Sequence, residues 1–376
     1  MGVMEILCSQ TSSVIKRKKK YEYWLRIGLY AVVVLVGQSS ATLMGRLYYQ
    51  QGGKSKWMAT LVHIVGFPIL LPFYAIPASK HSTANTTHNN DKQPSASTLA
   101  SIYVTFGFLL ALDFFLCAMG LSSLPFSTYS LIGSSKLAFN ALFSFFLNSE
   151  KFTPYILNST VLLTISSILV VLQTDDSSSA KSSTPVSEKK KYVMGFITTV
   201  GASAGYGLIL SLKQLAFNKV IRNKSFKGIL DMIVYQSLVA CLVTVIGLFG
   251  SGEFRGLIEE MEEYGTGKAS YVLTLSFTAI TWQVYAVGCL SLIVEASSLL
   301  SSSISIVGLP IVPILGVLLF HDTMNGLKVI SLVLSLWGFL SYVYQLYLDE
   351  TNSKTDQHTS HSDISEIHSL TEWMNN

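Results

Sequence analysis

Charge is scarce in this chain. Of its 376 residues only 13% are Asp, Glu, Lys or Arg, roughly half the share of a soluble domain. That deficit excludes an ordinary water-soluble globule. With 50% hydrophobic residues and a mean hydropathy of +0.46, the chain is expected to sit in a bilayer. Cysteine is scarce as well: Cys117, Cys241 and Cys289 fall in apolar runs and Cys8 in the N-terminal arm. No disulfide framework is expected, and the thiols read as small packing residues. Catalytic signatures are missing too. There is no H-E-x-x-H, no G-x-S-x-G and no Gly-rich phosphate loop, so the sequence predicts neither an enzyme nor a cofactor or metal. No nucleic-acid partner is expected. No cleavable signal peptide is read, because the first apolar run is too long for a signal core.

What the chain does have is apolar length. A helix needs roughly 20 apolar residues to cross a hydrocarbon core, and inside lipid every backbone polar group must be paired within the segment. Ten runs qualify: Trp24–Gly45, Trp57–Pro77, Leu99–Gly120, Leu124–Leu147, Pro154–Gln173, Tyr192–Phe217, Ile229–Gly250, Tyr271–Ile293, Ser297–Phe320 and Leu327–Tyr347. Only Val294 to Ala296 separate the eighth from the ninth, and a fusion of those two would make the count odd. The basic stretch Lys16 to Lys20 before the first run and the loop with Lys219, Arg222, Lys224 and Lys227 are expected in the cytoplasm. The loop with Glu253, Glu259, Glu260, Glu262 and Glu263 then falls outside. Lys189 to Lys191 dissent from that scheme. An even count puts both termini in the cytoplasm, and the basic arm reads as a topology signal rather than a lipid site. Residues 78–97, 174–188 and those from 349 onward are Ser/Thr/Asn-rich and expected to be unstructured, as is the arm. Asn85-Thr86-Thr87 is a glycosylation sequon on the cytoplasmic side of this topology.

A weak repeat runs through the chain. Leu147-Asn148-Ser149-Glu150-Lys151-Phe152 aligns with Leu319-Phe320-His321-Asp322-Thr323-Met324 at an offset of 172 residues, which also carries Gln173 onto Gln345. Five spans per half is odd, so the halves must have opposite orientations, a common transporter plan. The fold expected is therefore an all-α integral membrane protein of ten transmembrane helices as two inverted five-helix repeats. The boundaries are a cytoplasmic arm at 1–23, repeats at 24–173 and 192–348, a linker at 174–191 and a tail at 349–376.

Polar residues inside the spans carry the functional argument, since an ionisable group there costs at least about 2.5–3.5 kcal/mol. Gln38 lies in the first span and Asp113 in the third. In the fourth, Tyr129, Lys136 and Asn140 share one face at i, i+7, i+11. Tyr206, Lys213 and Gln214 lie in the sixth, Trp282, Gln283 and Tyr285 in the eighth, and Glu295 at the eighth–ninth junction. Lys213 and Gln214 read as snorkelling to the interface, and His63 as a satisfied core histidine. Asp113 and Lys136 are open to reading as a structural ion pair. Glu295 is equally open to reading as a helix cap, and Asn140 and Gln283 as interhelical glue. Gly308-Leu309-Pro310-Ile311-Val312-Pro313 breaks the ninth span, with a milder weak point at Gly133-Ser134-Ser135 in the fourth. His321 and Asp322 read as a solvated turn.

Several blocks resemble the plant purine permease family of the drug/metabolite transporter superfamily. They are Gly45 to Tyr49 through Gly52-Gly53 to Gly66-Phe67-Pro68; Ser127 to Ile132; Leu137 to Ser149; Gly308 to Pro313; and Trp337-Gly338-Phe339 with Ser341 to Gln345. The resemblance spans about Tyr23 to Asp349. It implies ten helices, cytoplasmic termini and proton-coupled uptake of adenine-like bases, with cytokinins, alkaloids or vitamin B6 compounds as substrates of different members. Lys136 departs from the family's more frequent glutamine. The residues agree with a purine: Trp282 or Tyr129 can stack a base, and Asn140 and Gln283 can pair an adenine edge. The predicted substrate-binding set is Gln38, Tyr129, Lys136, Asn140, Tyr206, Trp282, Gln283 and Tyr285, and the predicted proton-coupling residues are Asp113 and Glu295. Expected partners are a purine or cytokinin, protons and the bilayer, for a monomer or homodimer in the plasma membrane, with endoplasmic reticulum or vacuole as alternatives. A transporter of another small heterocycle, or an exchanger of phosphorylated or nucleotide-linked sugars, is the other reading. The exchanger would need several central Lys or Arg.

Overall fold

The computed structural model describes residues 2–75, 95–124, 132, 135–149, 153–175, 186–222, 225–308, 326–327, 329–331, 333–334, 336–345 and 348. Among these there are helices and no strands. In order they are α1 (Gly2–Gln50), α2 (Lys56–Val65), α3 (Ala96–Ser123), α4 (Lys136–Asn148), α5 (Pro154–Asp175), α6 (Val186–Ala216), α7 (Phe226–Ser251), α8 (Leu257–Glu263), α9 (Lys268–Glu295), α10 (Ser298–Gly308) and α11 (Val329–Gln345). Six stretches are long and apolar enough to cross a membrane: Tyr21–Tyr49, Lys56–Tyr74, Ala96–Gly120, Tyr192–Ile221, Phe226–Ser251 and Lys268–Glu295. The fourth, ninth and tenth expected spans run partly through residues outside the description. So do Glu150, Pro310, Pro313, His321, Asp322 and the sequon at Asn85.

Three boundaries differ from the sequence reading, each for a local reason. The arm expected to be unstructured is helical from Gly2, because extending a formed helix avoids the cost of nucleation and no proline interrupts it. α6 likewise begins at Val186, ahead of Tyr192. The second span is not one α-helix: it stops at Val65 and continues as a 3-10 segment, Phe67–Ala75, because Pro68 and Pro72 lack the N–H an α-helix needs. The eighth and ninth spans are two helices. Ala296 leaves helical geometry, and α10 folds back along α9 so that Ser301 Oγ donates to the Cys289 carbonyl at 3.2 Å.

The distribution of side chains is inverted relative to a soluble protein. Large apolar groups face outward, among them Phe146, Ile246, Leu273 and Trp337, each largely exposed, while serines and threonines crowd the interior. Lipid rewards that arrangement: small polar residues allow close helix approach and bond across the contact. α1 runs antiparallel to α9, with Tyr48 beside Tyr271, Gly37 against the Tyr285 backbone, Gly288 against Val34, and Arg26 paired with Glu295. α3 runs antiparallel to α6, with Gly195 at Leu124 and Gly205 at Asp113. α4 lies parallel to α6 and antiparallel to α10, joined by Ser144, Ser211 and Ser298 at 2.8–3.0 Å. α2 packs on α7 and α9. α5 meets α11 through Ser166 and Ser331, whose hydroxyls lie 2.9 Å apart.

One end of the α1–α9 pair is closed by α8. Glu260, buried, accepts from the Tyr48 and Tyr271 hydroxyls and from the Lys54 and Ser55 backbone N–H groups, while Glu253 accepts from Ser55 Oγ and Trp57 N–H. Lys54–Glu263 and Lys268–Glu262 flank this on the exposed surface. The partners hold Glu262 below, and Lys54 above, their ordinary ranges.

Candidate functional site

The interior polar residues converge where α1, α3, α4, α6, α9 and α10 meet. Glycines make the convergence possible. A Cβ on Gly37 would lie 2.8 Å from the Tyr285 backbone nitrogen, and one on Gly207 2.7 Å from that of Asn140. With the helices this close, the Tyr206 and Tyr285 hydroxyls share a hydrogen bond of 2.8 Å, and Tyr285 also reaches Ser305 Oγ at 3.1 Å. Lys136 Nζ lies over the Tyr206 ring, 5.1 Å from its centroid, a cation–π contact. Trp282 meets Tyr285 edge-on at 5.3 Å. On its other side Trp282 meets His63 at 4.6 Å, and His63 meets Phe114 at 5.1 Å. The result is a continuous line of rings from α3 through α2 and α9 to α6, with a lysine at its end.

Four of the predicted substrate-binding residues, Lys136, Tyr206, Trp282 and Tyr285, are thus in one contact chain. Gln38 lies beside Gly308, with its Oε1 buried and unpartnered. Asn140 is fully engaged: Nδ2 donates to the Ser298 carbonyl at 3.0 Å and Ser302 Oγ at 2.7 Å, and Oδ1 accepts from Ser211 Oγ at 2.9 Å. It ties α4, α6 and α10 together. Gln283 serves the break in the second span. Pro68 cannot donate to the Ile64 carbonyl four residues earlier, and Gln283 Nε2 supplies that bond at 3.1 Å, leaving its Oε1 buried without a partner. Tyr129 lies outside the described residues.

The two predicted proton-coupling residues are separated. Glu295 ends α9 and pairs with Arg26 Nε at 3.4 Å, both partly exposed. It stands ten residues, about 15 Å of helix rise, from Tyr285. Asp113 is central: it is 3% exposed, packs against Gly205 beside Tyr206, and neither carboxylate oxygen has a hydrogen-bond partner. No ion pair joins it to Lys136 among the described residues.

Some participants were not apparent in the sequence. Phe114 and Ser305 carried no signal, being ordinary span residues. His63 was read as a satisfied core histidine. Its Nδ1 does donate to the Ala59 carbonyl, which leaves Nε2 as the lone-pair nitrogen within the aromatic line. Lys213 does not snorkel: it is buried, and Gln214 beside it accepts from the Ser298 N–H at 2.7 Å, capping α10.

An apolar exterior around a polar interior crossed by a line of rings defines a multi-pass membrane protein. Residues 25–352 match the family of purine nucleobase transmembrane transport proteins, and the chain belongs to that family. It is 51% identical over 346 residues to probable purine permease 10 of Arabidopsis thaliana, and 52% identical over 346 residues to purine permease 21 of the same plant. Each alignment covers 92% of this chain and 87% of the relative. A solved crystal structure shares the fold at a TM-score of 0.52 and 13% identity, covering 85% of this chain and 96% of that one.

Proposed function

We propose that the protein is a secondary active transporter that carries purine bases across its membrane together with protons, by alternating access. The observation that carries this reading is the buried, unpartnered carboxylate of Asp113 beside the Tyr206–Tyr285 pair and the Trp282–His63–Phe114 rings. Rings stack a planar base at about 1–3 kcal/mol per base. The orphaned acceptors of Asp113 and Gln38 suit the N–H groups of a base. A bare buried charge is expensive, so Asp113 is assigned the transported proton. The Arg26–Glu295 pair is assigned to the end of the bundle.

Two inverted repeats, 24–173 and 192–348, are supported by the pattern of helix neighbours. Exchange α1 with α6, α2 with α7, α3 with α9, α4 with α10 and α5 with α11. The contact α1–α9 then becomes α6–α3 and α1–α10 becomes α6–α4, while α2–α7, α4–α10 and α5–α11 map onto themselves. The antiparallel pairs α1–α9, α3–α6, α4–α10 and α5–α11 and the parallel pair α4–α6 are compatible with ten alternating crossings and cytoplasmic termini. Such pseudo-twofold pairing puts the site at the midplane, where the halves can rock about it.

The test is uptake of labelled adenine and trans-zeatin into yeast lacking its own purine carrier, at acidic external pH. Saturable uptake abolished by a protonophore is expected, with Asp113→Asn losing the pH dependence. No flux of any base, with surface expression verified, overturns the reading. Zeatin uptake decides whether adenine-type cytokinins belong to the substrates. The plasma membrane is the proposed location.

A further inference from the structure

Asp231 is a carboxylate on the outer surface of the bundle. It lies in the second turn of α7, a helix that ends at Ser251 beside the α8 closure and so begins at the opposite end of the molecule. Its Oδ1 accepts from the Tyr74 hydroxyl at 2.7 Å, in a bond at the protein surface. Tyr74 comes from the last turn of the 3-10 segment. Tyr235 follows Asp231 by one helical turn, so the two share a face of α7. The Tyr235 ring stacks on that of Tyr103 from α3, with centroids 5.3 Å apart and planes within 16°. Tyr74 and Tyr235 are 36% and 50% exposed. Beneath them Leu70, Phe106, Ile229 and Ile233 hold the three elements together. Lys227 stands one turn before Asp231 on the same face and is exposed. The ion pairs among the described residues are Arg26–Glu295, Lys54–Glu263 and Lys268–Glu262, so Asp231 and Lys227 are neighbours that do not pair.

We propose that Asp231, Tyr74, Tyr103 and Tyr235 bind the ammonium group of a zwitterionic phospholipid, with Lys227 beside its phosphate. Depth decides what can meet these residues. The span Phe226–Ser251 has 26 residues, about 39 Å of helix, against a hydrocarbon core about 30 Å thick. Asp231, about 7.5 Å from the start of that span, therefore lies where headgroups meet acyl chains. A short aspartate cannot reach far along the membrane normal as lysine does, and a bare carboxylate facing lipid is costly. The cation that the bilayer itself supplies at this depth is the choline or ethanolamine group. Tyrosine faces attract such cations. The Tyr74 hydroxyl fixes one oxygen of Asp231 and leaves the other to face the charge. Opposite charges one turn apart match a headgroup that carries one of each sign. A phosphatidylglycerol offers Lys227 a phosphate but brings no cation to Asp231. Interfacial tyrosines alone anchor a helix without choosing a headgroup, so headgroup choice is the property that separates this site from an aromatic belt.

The experiment uses the full chain, purified in detergent and mixed with equal amounts of phosphatidylcholine, phosphatidylethanolamine and phosphatidylglycerol of identical acyl chains. Retained lipid is counted by native mass spectrometry. Each zwitterionic lipid is expected to be retained about fivefold over phosphatidylglycerol, the scale of one cation–π contact with one exposed ion pair. Asp231→Asn keeps an oxygen for the Tyr74 hydroxyl and removes the charge; it is expected to bring the three lipids to equal retention. Tyr235→Leu is expected to cost phosphatidylcholine more than phosphatidylethanolamine, because a quaternary ammonium has no N–H to donate to the carboxylate and relies on the ring faces. Glu263→Gln, at the other end of the molecule, is expected to keep the wild-type preference. Equal retention of the three lipids by the wild-type protein overturns the inference. So does a preference that survives Asp231→Asn, which would place the retained lipid elsewhere. Should Asp231→Asn fail to fold on size-exclusion chromatography, the wild-type series and Tyr235→Leu decide: an unchanged lipid profile in Tyr235→Leu then overturns the site.

Discussion

A side chain's role here depends on which backbone groups its neighbours leave bare. Gln283 looks in sequence like a base-pairing amide. In the fold its nitrogen repairs the helix that Pro68 interrupts, and only its oxygen remains available. Replacing Gln283 with Met keeps the volume and removes the bond, leaving the Ile64 carbonyl to the Gly66 N–H alone. A loss of about 1 kcal/mol is expected, read as a lower melting temperature in detergent. An unchanged melting temperature would show that Gln283 is free for substrate. The sequence reading runs the second span unbroken through Pro68 and Pro72, where the α-helix in fact gives way to a 3-10 segment. The partner that answers the break is not legible either, since nothing in local sequence links residue 283 to residue 64. Lys213 shows the same limit: the sequence alone suggests snorkelling to the interface, and the fold buries it.

At the scale of elements, glycine decides where helices touch. Gly37 in α1 receives the backbone of α9, Gly66 at the end of α2 receives the Ala279 carbonyl, and Gly207 in α6 receives the backbone of α4. These are contacts of backbone with backbone, which cannot yield as a flexible side chain can. Gly207→Ala and Gly37→Ala are therefore expected to cost about 1–3 kcal/mol through overpacking and to lower the yield of folded protein on size-exclusion chromatography. Gly28→Ala and Gly250→Ala, where nothing lies within 4 Å of the added carbon, should leave it unchanged. Equal effects at all four positions would trace the loss to helix propensity alone. Most of the helices were legible as apolar length. The separation of α9 from α10 agrees with the spans read from sequence, although Val294 to Ala296 contain no glycine or proline to mark the turn and the sequence leaves a fusion of the two open.

For the whole molecule, the two ends of the α1–α9 pair differ. One end holds the partly exposed Arg26–Glu295 pair; the other is closed by α8, whose Glu260 accepts four hydrogen bonds from α1, α9 and the turn before α2. Removing a buried, multiply bonded carboxylate strands its donors. Glu260→Ala should cost about 3 kcal/mol and make the loop around α8 sensitive to limited proteolysis. Glu263→Gln, at an exposed pair, should be nearly silent, since such pairs are weak and screened by salt. Matching losses in the two variants would remove the special standing of Glu260. The sequence reading placed this acidic loop outside the membrane but assigned it no contacts.

The sequence by itself determined the class. Too little charge, long apolar runs and a handful of polar residues within them admit only a helical membrane protein, because lipid leaves the backbone no other way to pair its polar groups. The family match agrees with that reading. Tertiary structure alone decided which polar residues meet. It joined Lys136, Tyr206, Tyr285, Trp282 and His63, spent Asn140 on holding helices together, sent Glu295 to the bundle end and left the Asp113 carboxylate without a hydrogen-bond partner among the described residues. The reason is geometric. Composition sets what enters the bilayer, whereas the rotation of each helix about its axis, fixed by glycine contacts with helices distant in sequence, sets what faces the interior.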